Sequence, residues 1–428
     1  MAQAPPSSYA KAKRAIPQVA YFSVVVALLF VSVPLDFLWT VRPHSTAADI
    51  YIMAKEGFIQ RQVALACLGI FGLASVVRKI GSTVRIRGSL GWLILFFFSW
   101  AAISAIWSDN MNLTLRRLGA LILISLGALA LAERFSLRSI IRFILFACGL
   151  TLLMSLGAEI FLRTFRPLDE AYRFAGLMHP NSQGQNCAVL LLALLVSVNL
   201  TKGKRPLYLI AAAFVIVFLI MTKSRTALGS ALVGIALFYA LTAKRKRLIM
   251  VSVAAVFCGL CLAYILFGDQ MSALAQSSVS LGRADSDLYT LTGRTYVWSE
   301  CIREVSKHPL IGYGYGGFWS PDRLYAFIES QGLASAHSGY LEVVLDLGLV
   351  GLLIYVLIFL MAVKTSVFHY MRSTAVEYAF ASAVLLLFCA SLLMMSALPL
   401  SQVPTFLSFV LLARLGFVAK TFRCHGNS

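Results

Sequence analysis

The sequence predicts an all-α polytopic membrane protein, with about twelve transmembrane helices and one large periplasmic loop. Three observations predict it. Hydrophobic residues make up 59% of the 428-residue chain and charged residues only 13%, where a soluble domain carries ~25% charged residues. The apolar residues fall in runs long enough to cross a ~30 Å hydrocarbon layer, and the basic residues fall mainly in alternate connections between those runs. A single soluble core stops growing near ~250–300 residues, so an apolar excess of this size needs the bilayer as its solvent.

Measured against the ~20 residues that a spanning helix needs, the runs are 19–39, 59–77, 89–107, 116–132, 140–162, 184–201, 206–222, 226–242, 248–268, 338–362, 377–398 and 403–419. The fourth is short, and the last contains Arg414. Lys11, Lys13 and Arg14 precede the first run without a small-residue cleavage site after it, so that run is expected to stay as an anchor. An even number of spans puts both termini on one side. The connections on that side, with the two termini, hold 22 basic and 2 acidic residues, whereas the rest of the chain holds 15 basic and 16 acidic. The positive-inside rule then places both termini in the cytoplasm. The net charge of +19 is therefore topological, and no nucleic-acid partner is expected of basic residues scattered in short clusters.

Six of the eight cysteines, Cys67, Cys148, Cys187, Cys258, Cys261 and Cys389, lie inside apolar runs, while Cys424 is in the tail and Cys301 stands alone in a polar segment. No disulfide framework follows. The chain divides into spans one to nine (1–268), an outer loop (269–336), and three last spans with a cytoplasmic tail (337–428). A connection of that length is usually functional or disordered. Trp298, Tyr313, Tyr315, Phe318, Trp319, Tyr325 and Phe327 argue against disorder, and residues 298–307 have helical spacing. The loop is expected to be a small folded cap on the membrane surface.

Four polar clusters fall on the outer side: 173–184, with Arg173, His179 and Asn181; 222–227, with Lys223 and Arg225; 291–316, with Arg294, Trp298 and His308; and 336–342, with His337, Tyr340 and Glu342. Spans six, eight and ten all start there, so their unpaired N–H groups and positive dipole ends face the same side as these residues. Helix N-termini with arginines form an anion site, the guanidinium fork suiting phosphate or pyrophosphate. The inferred ligand is a phosphorylated lipid; the alternative for each arginine alone is an interfacial anchor, a reading that does not extend readily to all four. His337, kept neutral by the helix dipole, is the candidate general base or else a structural cap. Glu342 and Asp346 share a helix face and either orient or pair with an arginine. Tyr340 either binds sugar or phosphate or belongs to the interfacial aromatic belt. Arg116, Arg117, Arg163, Arg166 and Arg173 could receive a second phosphorylated lipid. No cofactor or metal is expected: His44, His179, His308 and His337 lack ligand spacing, and Asp285 and Asp287 are a short match. Gly312-x-Gly314-x-Gly316 reads as a tight turn between aromatics.

Together, His179-Pro-Asn, Ser224-Arg-Thr, Gly293-Arg-Thr with Trp298, Pro309-Leu-Ile-Gly-Tyr-Gly, Ala336-His-Ser-Gly-Tyr-Leu and Gly348-Leu-Val-Gly resemble the O-antigen ligase and Wzy polymerase-like superfamily. The motif match covers about residues 165–365, and within the superfamily the chain looks most like exopolysaccharide polymerisation proteins of the ExoQ type. The resemblance implies a GT-C-like, metal-independent inverting glycosyltransferase whose donor is an undecaprenyl-pyrophosphate-linked oligosaccharide. It implies that Arg225 and Arg294 hold the pyrophosphate and that His337 activates the acceptor hydroxyl, with Arg173, His179, Asn181, Tyr340 and Glu342 in acceptor or supporting roles. Membrane lipid, and polysaccharide export and chain-length machinery, would be its partners. Transfer to lipid A-core, as in a ligase, is the alternative within the family. Outside it, the alternative is a transporter or flippase of a lipid-linked glycan or small anion, which would show internal repeats and broken helices at mid-membrane.

Overall fold

The computed structural model describes residues 59–77, 84–169, 172–243, 294–331, 335–395 and 403–418. Ten of the expected spans lie among them as helices: α1 (Ile59–Val77), α2 (Gly88–Ile103), α3 (Met111–Arg134), α4 (Leu137–Phe161), α5 (Pro180–Leu200), α6 (Arg205–Met221), α7 (Arg225–Thr242), α10 (Gly339–Ser373), α11 (Val376–Leu392) and α12 (Val403–Phe417). Two more helices, α8 (Arg294–Lys307) and α9 (Pro321–Gln331), precede α10 in the long polar connection. The expected spans 19–39 and 248–268 lie outside the described residues. By length and composition α2 (with the 3-10 turn that follows it), α3, α4, α5, α7 and α10 can cross a membrane, whereas α1, α6, α11 and α12 are shorter apolar helices. The chain is thus a helical, multi-pass membrane protein.

Local chemistry sets the helix starts. Asn110 caps α3 by accepting the Leu113 N–H at 3.0 Å, Ser136 caps α4 through the Ser139 N–H at 3.2 Å, and Pro180 occupies the first turn of α5. The tenth span was expected to end at residue 362, yet α10 continues to Ser373 and closes on Thr374 in the left-handed region at φ 54°. Hydropathy ends before the helix does because this last stretch packs on protein: the Ser366 hydroxyl donates to the Tyr378 carbonyl at 2.8 Å, and Ser366 and Tyr370 are buried.

The contacts fix relative directions. Gly184 of α5 packs against Ser224 and Ala227 of α7, and Gly234 of α7 against Ala383 and Leu387 of α11. The Tyr340 hydroxyl at the start of α10 donates to the Cys389 carbonyl near the end of α11 at 3.0 Å. Thus α5, α7 and α10 begin at one end of the bundle, and α11 ends there. Of the helices able to span among the described residues, α5 is the most enclosed, with 78% of its apolar window buried.

The opposite end is held by basic side chains. Arg138 pairs with buried Glu377 at 2.8 Å, and Arg87 donates to the Val418 carbonyl at 2.7 Å. Arg414, which made the twelfth span a poor hydropathic match, is 5% exposed and donates to the Ala132 carbonyl in the last turn of α3 at 2.7 Å. A cation meeting the unpaired carbonyls and negative dipole end of a helix is the pairing that makes such burial tolerable.

One feature departs from the expected straight spans. Gly348 interrupts α10 with φ 69° and ψ −173°, and the backbone of residues 309–313 lies in the gap. Leu349 N–H donates to the Pro309 carbonyl at 2.8 Å, Val350 N–H to Leu310 at 3.3 Å, and Tyr313 N–H to Leu345 at 2.9 Å. Gly312, Gly314 and Gly316 have φ of 65°, 90° and 64°, the tight turn expected of that motif, and at Gly312 a side chain would strike the Asp346 backbone. Part of the loop that was expected as a surface cap is thus threaded into the bundle end. Its aromatic residues account for this: Tyr313, Phe318, Trp319 and Phe327 form a buried cluster with Val297, Cys301, Leu324, Ala336 and Leu345 of α10.

Candidate functional site

The first two polar clusters meet where α5 and α7 begin. Phe174 N–H donates to the Met221 carbonyl at 2.9 Å, while the Arg173 guanidinium donates to the Thr222 carbonyl at 3.1 Å and to Asn181 Oδ1 at 2.9 Å. Arg173 therefore bridges the loop before α5 and the connection before α7. His179 is the N-cap of α5, its Nδ1 accepting the Asn181 N–H at 3.2 Å. Ser224 caps α7 through the Ala227 N–H at 3.4 Å, which leaves half-buried Arg225 as the first helical residue. Arg225 is not committed to a hydrogen bond or ion pair among the described residues, unlike Arg173.

The third and fourth clusters meet as well. Arg294 opens α8, and one turn later the Trp298 indole N–H donates to the Ala336 carbonyl at 2.8 Å. His337 follows, half-buried and in the left-handed region at φ 49°, one residue before the N-cap Ser338. Among non-glycine described residues positive φ occurs at Arg163, Lys223, His337 and Thr374, and two of these four stand in the candidate clusters. Such conformations cost about 1–3 kcal/mol and persist where the surroundings enforce them.

Other site residues have structural partners. Tyr340 is engaged with the α11 backbone rather than directed outward. Glu342 and Asp346 are 1% and 3% exposed, and Asp346 accepts the Phe318 N–H at 3.4 Å. Asp346 also interacts electrostatically with Arg117, which donates to the Gly316 carbonyl and, at 3.0 Å, to that of Trp319. Of the arginines expected to receive a second lipid, Arg117 is thus occupied by the threaded loop and Arg173 by the α5–α7 bridge.

Glu342, Asp346 and Tyr315 stand on the wall of a cavity of about 390 Å³ that is bounded mainly by apolar residues of α2, α3, α10, α11 and α12, among them Phe97, Leu121 and Phe409, with the hydroxyls of Ser125, Tyr355, Thr405 and Ser408 interspersed. The outer loop has its own electrostatics. Burial is the largest influence on Glu304 and acts upward, but hydrogen bonds from Lys307 and Tyr313 and the charges of Lys307 and Arg323 hold its carboxyl below the usual range. Burial, then the bond to Glu304, pushes the Tyr313 hydroxyl up, and burial pushes the Cys301 thiol up to about 12.

One residue was not singled out from sequence. Glu159 of α4 is 1% exposed, and its Oε1 accepts the N–H groups of Ala175 at 3.0 Å and Gly176 at 2.7 Å, while Oε2 accepts the Tyr172 hydroxyl. Consecutive N–H groups beside a positive-φ glycine form an anion nest, here filled by the protein's own carboxylate, which holds the loop carrying Arg173. A lone carboxylate near the end of an apolar span was the available signal.

Residues 209–356 match the protein family described as O-antigen ligase. The chain is 25% identical over 332 residues, 74% of each chain, to the exopolysaccharide production protein ExoQ of Rhizobium meliloti (strain 1021). It is 30% identical over 161 residues to an O-antigen ligase of Pseudomonas aeruginosa, covering 37% of this chain and 34% of that protein. The 209–356 match includes the Ser224-Arg-Thr, Gly293-Arg-Thr, Ala336-His-Ser and Gly348 motifs, and these similarities agree with the resemblance to the O-antigen ligase and Wzy polymerase-like superfamily, and to its ExoQ-type proteins, that the sequence motifs carry.

Proposed function

We propose that this chain is a polymerising glycosyltransferase of the bacterial inner membrane. It joins oligosaccharide repeats carried on undecaprenyl pyrophosphate, and it does so on the periplasmic side with both termini in the cytoplasm. The observation that carries the reading is the shared end at which α5, α7 and α10 begin, with Arg225 uncommitted at one helix start and His337 beside another. In this reading Arg225 and Arg294 hold the donor pyrophosphate. His337 removes the proton of the acceptor hydroxyl as its oxygen attacks the anomeric carbon from the face opposite the pyrophosphate, which leaves with the bonding pair and inverts the centre. Two guanidinium groups and the helix N-termini meet the charge that develops on the leaving group, so the step requires no metal. Arg173, held by Asn181, and His179 shape the acceptor side. The apolar cavity suits the hydrocarbon part of a lipid carrier. The twelve-span GT-C-like arrangement, the division at 268 and 337, and association with export and chain-length machinery complete the proposal.

The similarity to an O-antigen ligase favours a second reading, transfer to lipid A-core, which would use the same anion site and base. A transporter would exploit a broken helix, but the gap at Gly348 is closed by the chain's own backbone. The deciding experiment is deletion of the gene with analysis of glycolipid and polysaccharide. Polymerase function is expected to leave single lipid-linked repeats, no high-molecular-weight exopolysaccharide and intact lipopolysaccharide. Polymer accumulating on its carrier, with lipopolysaccharide lacking O-antigen, would establish the ligase instead. Reporter fusions after residues 246 and 300 are expected to be cytoplasmic and periplasmic respectively.

A further inference from the structure

We infer that Trp298 is a positioning residue, which orients His337 by donating its indole N–H to the carbonyl of Ala336. The inference rests on the reading of His337 as the base. Three observations carry it. The bond is 2.8 Å long and joins α8, the helix begun by Arg294, to the residue immediately before His337. Ala336 is wholly buried in the same apolar cluster as Val297 and Cys301, the neighbours of Trp298 on α8, so α8 holds residue 336 by its methyl group as well as by its oxygen. His337 itself has φ 49°, a conformation uncommon outside glycine.

The peptide unit between Ala336 and His337 is planar. Fixing its oxygen therefore fixes the N–Cα bond of His337, and φ then sets where the imidazole departs from the chain. On the other side Ser338 is tied into α10, the Glu342 N–H donating to its carbonyl at 3.0 Å. Position 294 lies one helical turn before Trp298, at about 3.6 residues per turn, so a single hydrogen bond separates the helix of the proposed pyrophosphate arginine from the base. If the indole merely satisfied a buried carbonyl, its loss would affect stability and not the catalytic step selectively.

The test replaces Trp298 by β-(3-benzothienyl)alanine, which exchanges the indole N–H for sulfur and keeps the ring, with Trp298→Phe measured in parallel. The purified full chain in lipid nanodiscs is assayed on lipid-linked oligosaccharide extracted from the deletion strain. Both replacements are expected to lower kcat by about 10- to 100-fold, the scale of a misplacement near 1 Å, with KM for the donor within about twofold of the native value. Native kcat in the benzothienyl protein, or a raised KM at unchanged kcat, overturns the inference while leaving the base assignment in place. Native turnover by His337→Ala overturns both.

Discussion

Replacing Gly312 by alanine tests whether the threaded loop and the broken helix form one structural unit. The new methyl group would stand 2.6 Å from the Asp346 carbonyl carbon, 2.7 Å from its oxygen and 2.7 Å from the Gly348 nitrogen. All three are backbone atoms, so no side chain can rotate away. The residue also sits at φ 65°, where an L side chain costs roughly 1–2 kcal/mol. Relief of the overlap requires the loop to withdraw, and overpacking of this kind costs about 1–3 kcal/mol. The expected destabilisation is therefore about 2–5 kcal/mol from these two sources together. Withdrawal also strains the bonds from Tyr313 to Leu345 and from Leu349 to Pro309. Thermal unfolding of the purified protein, followed by tryptophan fluorescence, measures the effect. Gly229→Ala is the control, because Gly229 is exposed on α7 with nothing within 4 Å of the added carbon, and it should be neutral or stabilising by up to about 1 kcal/mol. A Gly312→Ala protein as stable as the native chain would refute the argument.

Further outcomes follow from the same geometry. His337→Ala is expected to lower turnover by roughly 10²–10⁴-fold, the contribution of a general base, with expression unchanged on immunoblots. Arg225→Lys and Arg294→Lys should each raise KM for the lipid-linked donor, since an ammonium retains charge without the planar fork; native KM in both would reduce the arginines to anchors. Arg414→Leu leaves the Ala132 carbonyl buried without its donor and should cost about 1–3 kcal/mol in thermal unfolding, with donor KM unaltered. Glu304 has a folded-state pKa below its unfolded value of 4.5, so its stabilising contribution is present above that pH and lost as pH falls through the folded value. Limited proteolysis of the outer loop should accordingly accelerate below pH ~4.5, and less so in Glu304→Gln.

Residue type and spacing along the chain determined much of this molecule. Span positions follow from apolar run length, and the helix starts at Pro180 and Arg225 follow from the local chemistry of caps and of proline in the first turn. The four polar clusters were legible because arginine and histidine at span ends are costly unless they pair or face water, and the positive φ of Gly312, Gly314 and Gly316 because a G-x-G-x-G run between aromatics has few other uses. What lay beyond the sequence concerns pairs of residues far apart in it. Nothing local to Gly348 states that residues 309–313 fill its break, since Gly-Leu-Val-Gly also reads as continuous helix. The partner of Arg414, the carbonyl of Ala132, is 282 positions away, and that of Arg117, in Gly316, is 199 away. Backbone carbonyls carry no residue identity, so a sequence can reveal an arginine that needs a partner but not the carbonyl that receives it. Glu159 and Trp298 took on their roles for the same reason: each acts on main-chain groups that only tertiary packing brings within hydrogen-bonding distance.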